Sequence, residues 1–268
     1  MRTIAAVAIA LAWATPVRAQ PWQLGAGHVS VGVSYTILST TELATPDGNS
    51  IKIPRFARQE TAVSGAYGAT DRVTIIVGAT LFAHTSIEAF DSAGGVGDVR
   101  LGIQALLVQR GPWTVGVRGI VQAPTGNANK GNGLLPTGTG AWEGDAVFSA
   151  GRSFAQRFFA FGEAGYHARG LGLRDTLVFN SQVGLITGSR VTLGWNVHGV
   201  QPYDSGPVSA SLAVAAGLGD GVTFVSYGPS AAVRLNGGWS IVGGVDGTVH
   251  TRNLATGTAY RVGLAYTR

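Results

Sequence analysis

Past residue 20, apolar and polar side chains take turns, residue by residue, over segments of about ten residues. A repeat of two is the period of a β-strand, whose successive side chains point to opposite faces. In 27–37, Val29, Val31, Val33 and Tyr35 share one face, and His28, Ser30, Gly32 and Ser34 the other. The same rule sorts Val73, Ile75, Val77, Ala79 and Leu81 from Thr74, Gly78 and Thr80 in 72–83. It separates Val99, Leu101, Ile103, Ala105 and Leu107 from Asp98, Arg100, Gly102 and Gln104 in 96–108. Clean alternation returns in 113–123, 191–201 and 257–267, and a weaker form in 56–67, 143–153, 158–168, 175–186, 222–235 and 239–250. Twelve strands are therefore expected, each close to the ~9–11 residues with which a tilted strand crosses a bilayer.

Mean hydropathy is +0.23, yet beyond residue 20 no apolar run approaches the ~18 residues of a membrane-spanning helix. Hydrophobicity is spread one residue in two. A soluble sandwich would have to hide such faces against each other and would carry more charge than the 12% found here. A membrane barrel turns them to lipid. The fold expected is all-β: an antiparallel, up-and-down transmembrane β-barrel of twelve strands, with ten or fourteen as the neighbouring even counts. Hydrocarbon offers no partner to bare strand edges, so the first strand must pair with the last.

The connections support this. Short ones are read at 68–71, 109–112, 154–157, 187–190 and 236–238. Mostly longer ones alternate with them at 38–55, 84–95, 124–142, 169–174, 202–221 and 251–256. Short turns on one side and long loops on the other are the outer-membrane layout, with both termini on the short-turn, periplasmic side. Aromatic residues are expected in two girdles. Tyr67, Trp113, Phe158, Trp239 and Tyr266 mark the short-turn ends, and Tyr35, Phe82, Trp142, Tyr166, Phe179 and Tyr260 the other.

The first 19 residues read as a secretory signal: Arg2, an apolar run from Ile4 to Ala14, Pro16, then Val17-Arg18-Ala19 before a cut at Gln20. The domain division is thus 1–19 signal and 20–268 barrel. Without Arg2 and Arg18, 17 basic residues stand against 14 acidic ones, a balance that does not point to nucleic acid. There is no Cys, so no disulfide and no lipid-anchored cysteine.

Charges at membrane depth are tolerable only where they meet water or each other. Arg58, Glu60, Asp98, Arg100, Arg118, Glu143, Asp145, Glu163, Arg234, Asp246 and Arg261 all fall in the inward phase. They are the candidate lumen-lining residues, either a wall that sets solute selectivity or a network that fills a narrow barrel. The Gly/Asn-rich stretch 124–142 is expected as a surface loop, with an inward constriction as the alternative. Segment 207–219 fits a plug, a flap resting on lipid or an extra hairpin.

No catalytic, metal or cofactor set is assigned. Gly131 and Gly133 precede no helix. His84, His167, His198 and His250 are expected at the long-loop rim, far apart in sequence. His28/Ser30 and His84/Ser86 have the spacing a barrel hydrolase would use, but no orienting acid is evident, and His84/Ser86 falls in a loop.

Gly94-Gly95-Val96-Gly97-Asp98-Val99-Arg100-Leu101-Gly102 resembles the outer-membrane transporter family named for the meta-pathway of phenol degradation. So do Ala123-Pro124-Thr125-Gly126, Gly138-Thr139-Gly140-Ala141-Trp142, Gly165-Tyr166, Gly228-Pro229-Ser230 and Tyr260-Arg261-Val262-Gly263-Leu264. The resemblance runs over most of 56–268. It implies a β-barrel that moves small, often aromatic, molecules, and it supplies no catalytic residues. Barrels of that compartment usually finish on an aromatic residue that the insertion machinery reads; here Thr267 and Arg268 follow Tyr266.

The functional expectation is a passive outer-membrane channel for small solutes, since no energy-coupling motif is visible. The partners expected are outer-membrane lipid and the barrel-insertion machinery. The alternatives are a non-conducting structural or adhesion barrel, and a barrel hydrolase acting on lipid.

Overall fold

A computed structural model describes residues 23–128, 135–155, 157–204 and 215–268. The expected signal, residues 1–19, and its cleavage site lie outside them. The strands are β1 (Val29–Ala44), β2 (Ser50–Gly68), β3 (Val73–Ile87), β4 (Asp91–Gly95), β5 (Val99–Arg110), β6 (Trp113–Ala123) and β7 (Glu143–Phe154). They continue as β8 (Phe158–Arg169), β9 (Thr176–Thr187), β10 (Val191–Pro202), β11 (Thr223–Arg234), β12 (Trp239–Arg252) and β13 (Leu254–Thr267). Twelve of them, all but β4, form one closed antiparallel sheet in which each strand pairs with its neighbours in sequence. The seam joins β1 to β13 in the register Ser30↔Thr267 through Ser39↔Thr258. Val29 and Arg268 exchange both backbone hydrogen bonds at its end. No edge is left bare in the ring, as a lipid environment demands.

The alternation becomes inside and outside. On β1, Val29, Val31, Val33, Tyr35 and Ile37 are exposed while Ser30, Ser34 and Leu38 are buried. On β6, Val117 and Val121 are exposed and Thr114, Arg118, Ile120 and Gln122 buried. Lipid would cover the outer set, so exposed valines are no defect here. Rings mark both ends of the belt: Trp113 and Trp239 at the short-turn end, Trp142 and Tyr260 at the other, all exposed. Arg152 lies at the short-turn girdle, its guanidinium carbon 4.9 Å from the Trp113 ring centre and 4.7 Å from that of Phe154. Stacking lets a cation sit at the lipid boundary with its stem in the apolar layer.

The short turns fall where expected. At 236–238, Gly237 and Gly238 take φ of 67° and 86°, and a Cβ on Gly238 would lie 2.4 Å from the Thr267 carbonyl oxygen, so only glycine fits.

The long-loop side differs. The connection expected at 38–55 shrinks to 45–49, because β1 and β2 run on as a hairpin well beyond a bilayer's need. The one expected at 251–256 reduces to Asn253, in the left-handed region with φ of 52°. The one at 84–95 contains the rest of β3 and the short β4, which pairs with β3 alone. Stretches such as Ser39-Thr40-Thr41-Glu42 read as loop by composition, but threonine suits a pleated sheet. Their inner face also finds apolar cover. Leu38 and Phe56 pack with Leu135, Ala215, Ala216 and Ala255 in a buried cluster joined by Leu43, Ile53 and Ile87. Pro54, which cannot donate to a ladder, sits where the β1–β2 pairing breaks register.

Candidate functional site

Inside the ring lies a cavity of about 400 Å³. Ten of the eleven candidate charges line it: Arg58, Glu60, Asp98, Arg100, Arg118, Glu143, Asp145, Glu163, Asp246 and Arg261. Arg234 does not. It keeps the inward phase but is the last residue of β11, exposed, with its backbone N–H on the Arg190 carbonyl.

Period two brings opposite charges together on the inner wall, within a strand and across strands. Arg58 Nη2 donates to Glu60 Oε2 at 3.0 Å, and Thr80 donates to the other Glu60 oxygen at 2.9 Å. Arg118 Nη2 meets Glu163 Oε1 at 3.1 Å, and Asn180 donates to that same oxygen at 3.2 Å. Arg261 Nη2 meets Asp246 Oδ2 at 2.9 Å. Arg100 Nε donates to Gln122 Oε1 at 2.6 Å. Buried charges are tolerable when paired and further hydrogen-bonded in this way.

At the long-loop mouth the network extends to groups that hold loops. Asp98, just before β5, accepts Gly126 N–H on Oδ1 and Thr139 N–H on Oδ2, each at 2.9 Å. Both belong to the connection 124–142. Its described part turns inward: Leu135, Pro136, Thr137 and Ala141 are buried. Residues 129–134 lie outside the described set. The surface-loop expectation is therefore corrected to the inward alternative for 135–141. The reason is that Asp98 satisfies two backbone donors at once while Leu135 joins the apolar cluster.

Glu143 links this loop to a second one. Its Oε2 accepts Gln122 Nε2 at 2.7 Å, and Gln122 Nε2 also lies 3.1 Å from Asp98 Oδ2. Its Oε1 accepts Arg169 Nε at 3.0 Å. Arg169 then donates to the Gly219 and Leu218 carbonyls at 3.0 and 3.2 Å. Asp220 accepts from Arg174 and Asn253 donates to the Gly221 carbonyl. Residues 215–222 are thereby tied into the mouth. Of the three readings for 207–219, these contacts give its described part, 215–219, the place of a plug; 207–214 lie outside the described residues.

Arg169 and His167 belong to this network and were not among the candidates. Both share the parity of Glu163 on β8, which was the available signal. His167 Nδ1 is 2.5 Å from Asp145 Oδ1 and its Nε2 is 3.5 Å from Glu143. His198, expected at the rim, lies lower and lines the cavity. His84 is on β3, not in a loop. After a register shift at Thr61/Ala62 it takes the face of Phe82, on which its ring stacks, while Thr85 is buried. Ser30 faces inward and bonds Thr267, while His28 is held at the Ala26 carbonyl. Among the described residues, no hydrogen bond joins the His to the Ser in either His-x-Ser pair.

The short-turn end is less charged. Phe159 and Phe161 line it beside Thr74, Gln104 and Gln182. Leu24, before β1, is buried against the same cavity, and Thr74 donates to the neighbouring Gln23 at 2.6 Å. The cavity is thus narrowed by chain at both ends.

Residues 51–170 match the family model described as "Putative MetA-pathway of phenol degradation". The family resemblance holds. The matched phenol-degradation stretch runs from β2 to the end of β8. It includes Asp98, Glu143 and Arg169, but not Asp246 or Arg261, and the Gly228-Pro229-Ser230 and 260–264 motifs lie beyond it. No curated protein matches the chain. Among solved structures, an outer membrane channel from Pseudomonas putida F1 is similar at 15% identity and a TM-score of 0.69, covering 94% of this chain and 99% of that one. The NanC porin is similar at 9% identity and a TM-score of 0.56, over 89% and 98%. The KdgM porin is similar at 6% and 0.53, over 88% and 98%. At such identities the likeness is one of fold.

Proposed function

We propose that the chain is a passive outer-membrane channel for small, weakly polar solutes, aromatic ones included. The observation that carries this is the cavity itself: about 400 Å³, enclosed by a closed barrel and narrowed at both ends. That volume lies in the ~300–1,000 Å³ range of small-molecule pockets, so it suits single molecules better than a column of bulk water. Paired charges on its wall favour neutral passengers, because a compensated wall neither concentrates nor repels one ion sign strongly. The family resemblance over 51–170 points the same way.

In this reading residues 1–19 direct export, the barrel-insertion machinery assembles the sheet, and outer-membrane lipid covers the valine face. Transport is diffusive, and the wall carries no catalytic role. The test is purified barrel in proteoliposomes and planar bilayers. Small, discrete conductance steps and entry of small neutral solutes are expected. A barrel that is folded by heat-modifiability yet passes neither ions nor solutes would overturn the reading.

A further inference from the structure

We propose that the short-turn rim of the barrel holds a binding site for the headgroup of an anionic phospholipid, built on Arg110, Trp113 and Arg152 of the lipid-facing surface. The inference goes beyond the channel reading and needs no conduction.

Charge is divided unevenly between the two ends of the barrel. Each of the five short turns carries an arginine, in it or at its edge: Arg72, Arg110, Arg157, Arg190 and Arg234, all exposed. Of the chain's 14 acidic residues only Asp71 falls in a short turn, and it accepts the Ala26 N–H at 3.0 Å. Among the described residues none of these arginines, nor Arg152 on β7, forms a salt bridge. A belt of one sign at a bilayer surface attracts headgroups of the other.

One stretch of the belt is shaped for a lipid. Arg110, Trp113 and Arg152 stand opposite one another on β5, β6 and β7. Cross-strand partners share a face, and the exposed Trp113 marks that face as the outer one. The two arginines are thus roughly 10 Å apart at their backbones, two strand spacings, with the Trp113 ring between them. Their side chains can converge on one phosphate. Arg152 is already held there, its guanidinium carbon 4.9 Å from the Trp113 ring centre and 4.7 Å from that of Phe154. Its Nε is closed off, so the terminal nitrogens are the donors on offer. Lying in one plane, they suit two phosphate oxygens. Two residues further from the turns, Val108, Val115 and Ala150 form the next row on the same face, an apolar surface for acyl chains. A zwitterionic headgroup would also bring an ammonium, and Asp71, the acidic side chain of this rim, is committed to Ala26. A phosphodiester of net negative charge is therefore the better match.

The experiment places the full mature barrel in phosphatidylcholine vesicles, with a fluorophore on Ala160→Cys, the neighbour of Arg152 in the same row. A second preparation carries it on Tyr260→Cys, at the other girdle. Brominated phosphatidylglycerol and brominated phosphatidylcholine of equal chains are the quenching probes. At low salt the anionic lipid should be enriched about tenfold over the zwitterionic one beside Ala160, as two arginines at a charged lipid surface would give, and not beside Tyr260. Arg110→Gln with Arg152→Gln, shown to be folded by heat-modifiability, should bring the ratio at Ala160 close to one. With both arginines in place, high salt should do the same, and this readout stands if the double variant fails to fold. Equal quenching by the two lipids at Ala160 would leave the arginines to water-borne anions and overturn the inference. So would a preference that survives the double substitution or high salt, or one that is as large at Tyr260.

Discussion

Arg118 on β6 reaches past β7 to Glu163 on β8, placing Nη2 3.1 Å from Oε1 with both side chains almost fully buried. The register makes this reach necessary, since Arg118 lies opposite Val147, and Glu163 opposite Ser149. One ion pair therefore clamps three strands. Glu163→Gln should destabilise the folded barrel by about 3 kcal/mol, because a guanidinium is left without its counter-charge. Arg118→Met with Glu163→Met should recover most of that loss. Urea titration of the heat-modifiable form measures both, and equal losses in the single and double variants would contradict the clamp.

Among the described residues, Glu143 is the one carboxylate that touches both loop-holding side chains, Gln122 and Arg169. Glu143→Ala should release 135–141 and 215–222 together. Both segments should become protease-sensitive and single-channel conductance should rise. Asp98→Ala should free only the first, at roughly 1–3 kcal/mol for each charge-assisted bond lost. Cleavage of both segments in Asp98→Ala would show that the two are not held separately.

Five arginines, Arg58, Arg100, Arg118, Arg169 and Arg261, line the cavity with six carboxylates. Neutralising Arg100, Arg118 and Arg261 leaves two against six. Cation over anion permeability should then rise by about tenfold, the lower end of what a one-signed cleft achieves. Reversal potentials under a salt gradient measure it, and an unchanged value would place these side chains outside the ion path.

Gly228 on β11 leaves no room for a side chain. An added Cβ would fall 1.8 Å from the Val245 carbonyl oxygen and 3.0 Å from Asp246 Cα. Gly228→Ala must push β12 away, at a cost of about 3 kcal/mol or more. Thermal unfolding should begin well below that of wild type. An unchanged midpoint would mean that the strands separate there at little cost.

The membrane-crossing strands were legible because period two is imposed by the medium. A residue facing lipid must be apolar, and its neighbour facing a lumen need not be. That is why the bounds of β6, read at 113–123, coincide with Trp113–Ala123. Beyond the bilayer the constraint lapses. Ser39-Thr40-Thr41-Glu42 stays strand through a register shift, without the alternation that would announce it. The inward turn of 135–141 was hidden for another reason. Its composition is that of a surface loop, and its anchor, Asp98, comes 41 residues before Thr139 in the chain. The adjacent Leu134, Leu135 and Pro136 were the local hint. Arg169 shares the inward parity of Glu163 but stands one residue beyond the strand expected at 158–168, so parity alone did not mark it as wall.

Alternate residues of each crossing strand meet lipid and lumen. The chain has no cysteine, so each one introduced is alone. On β6, Val117→Cys and Val121→Cys should resist a small water-soluble thiol reagent in proteoliposomes, and a label placed there should be quenched by lipid-borne quenchers. Thr114→Cys and Ile120→Cys should react with the reagent and escape the quenchers. All four sites reacting alike, with no lipid quenching at Val117 or Val121, would contradict the barrel in a membrane.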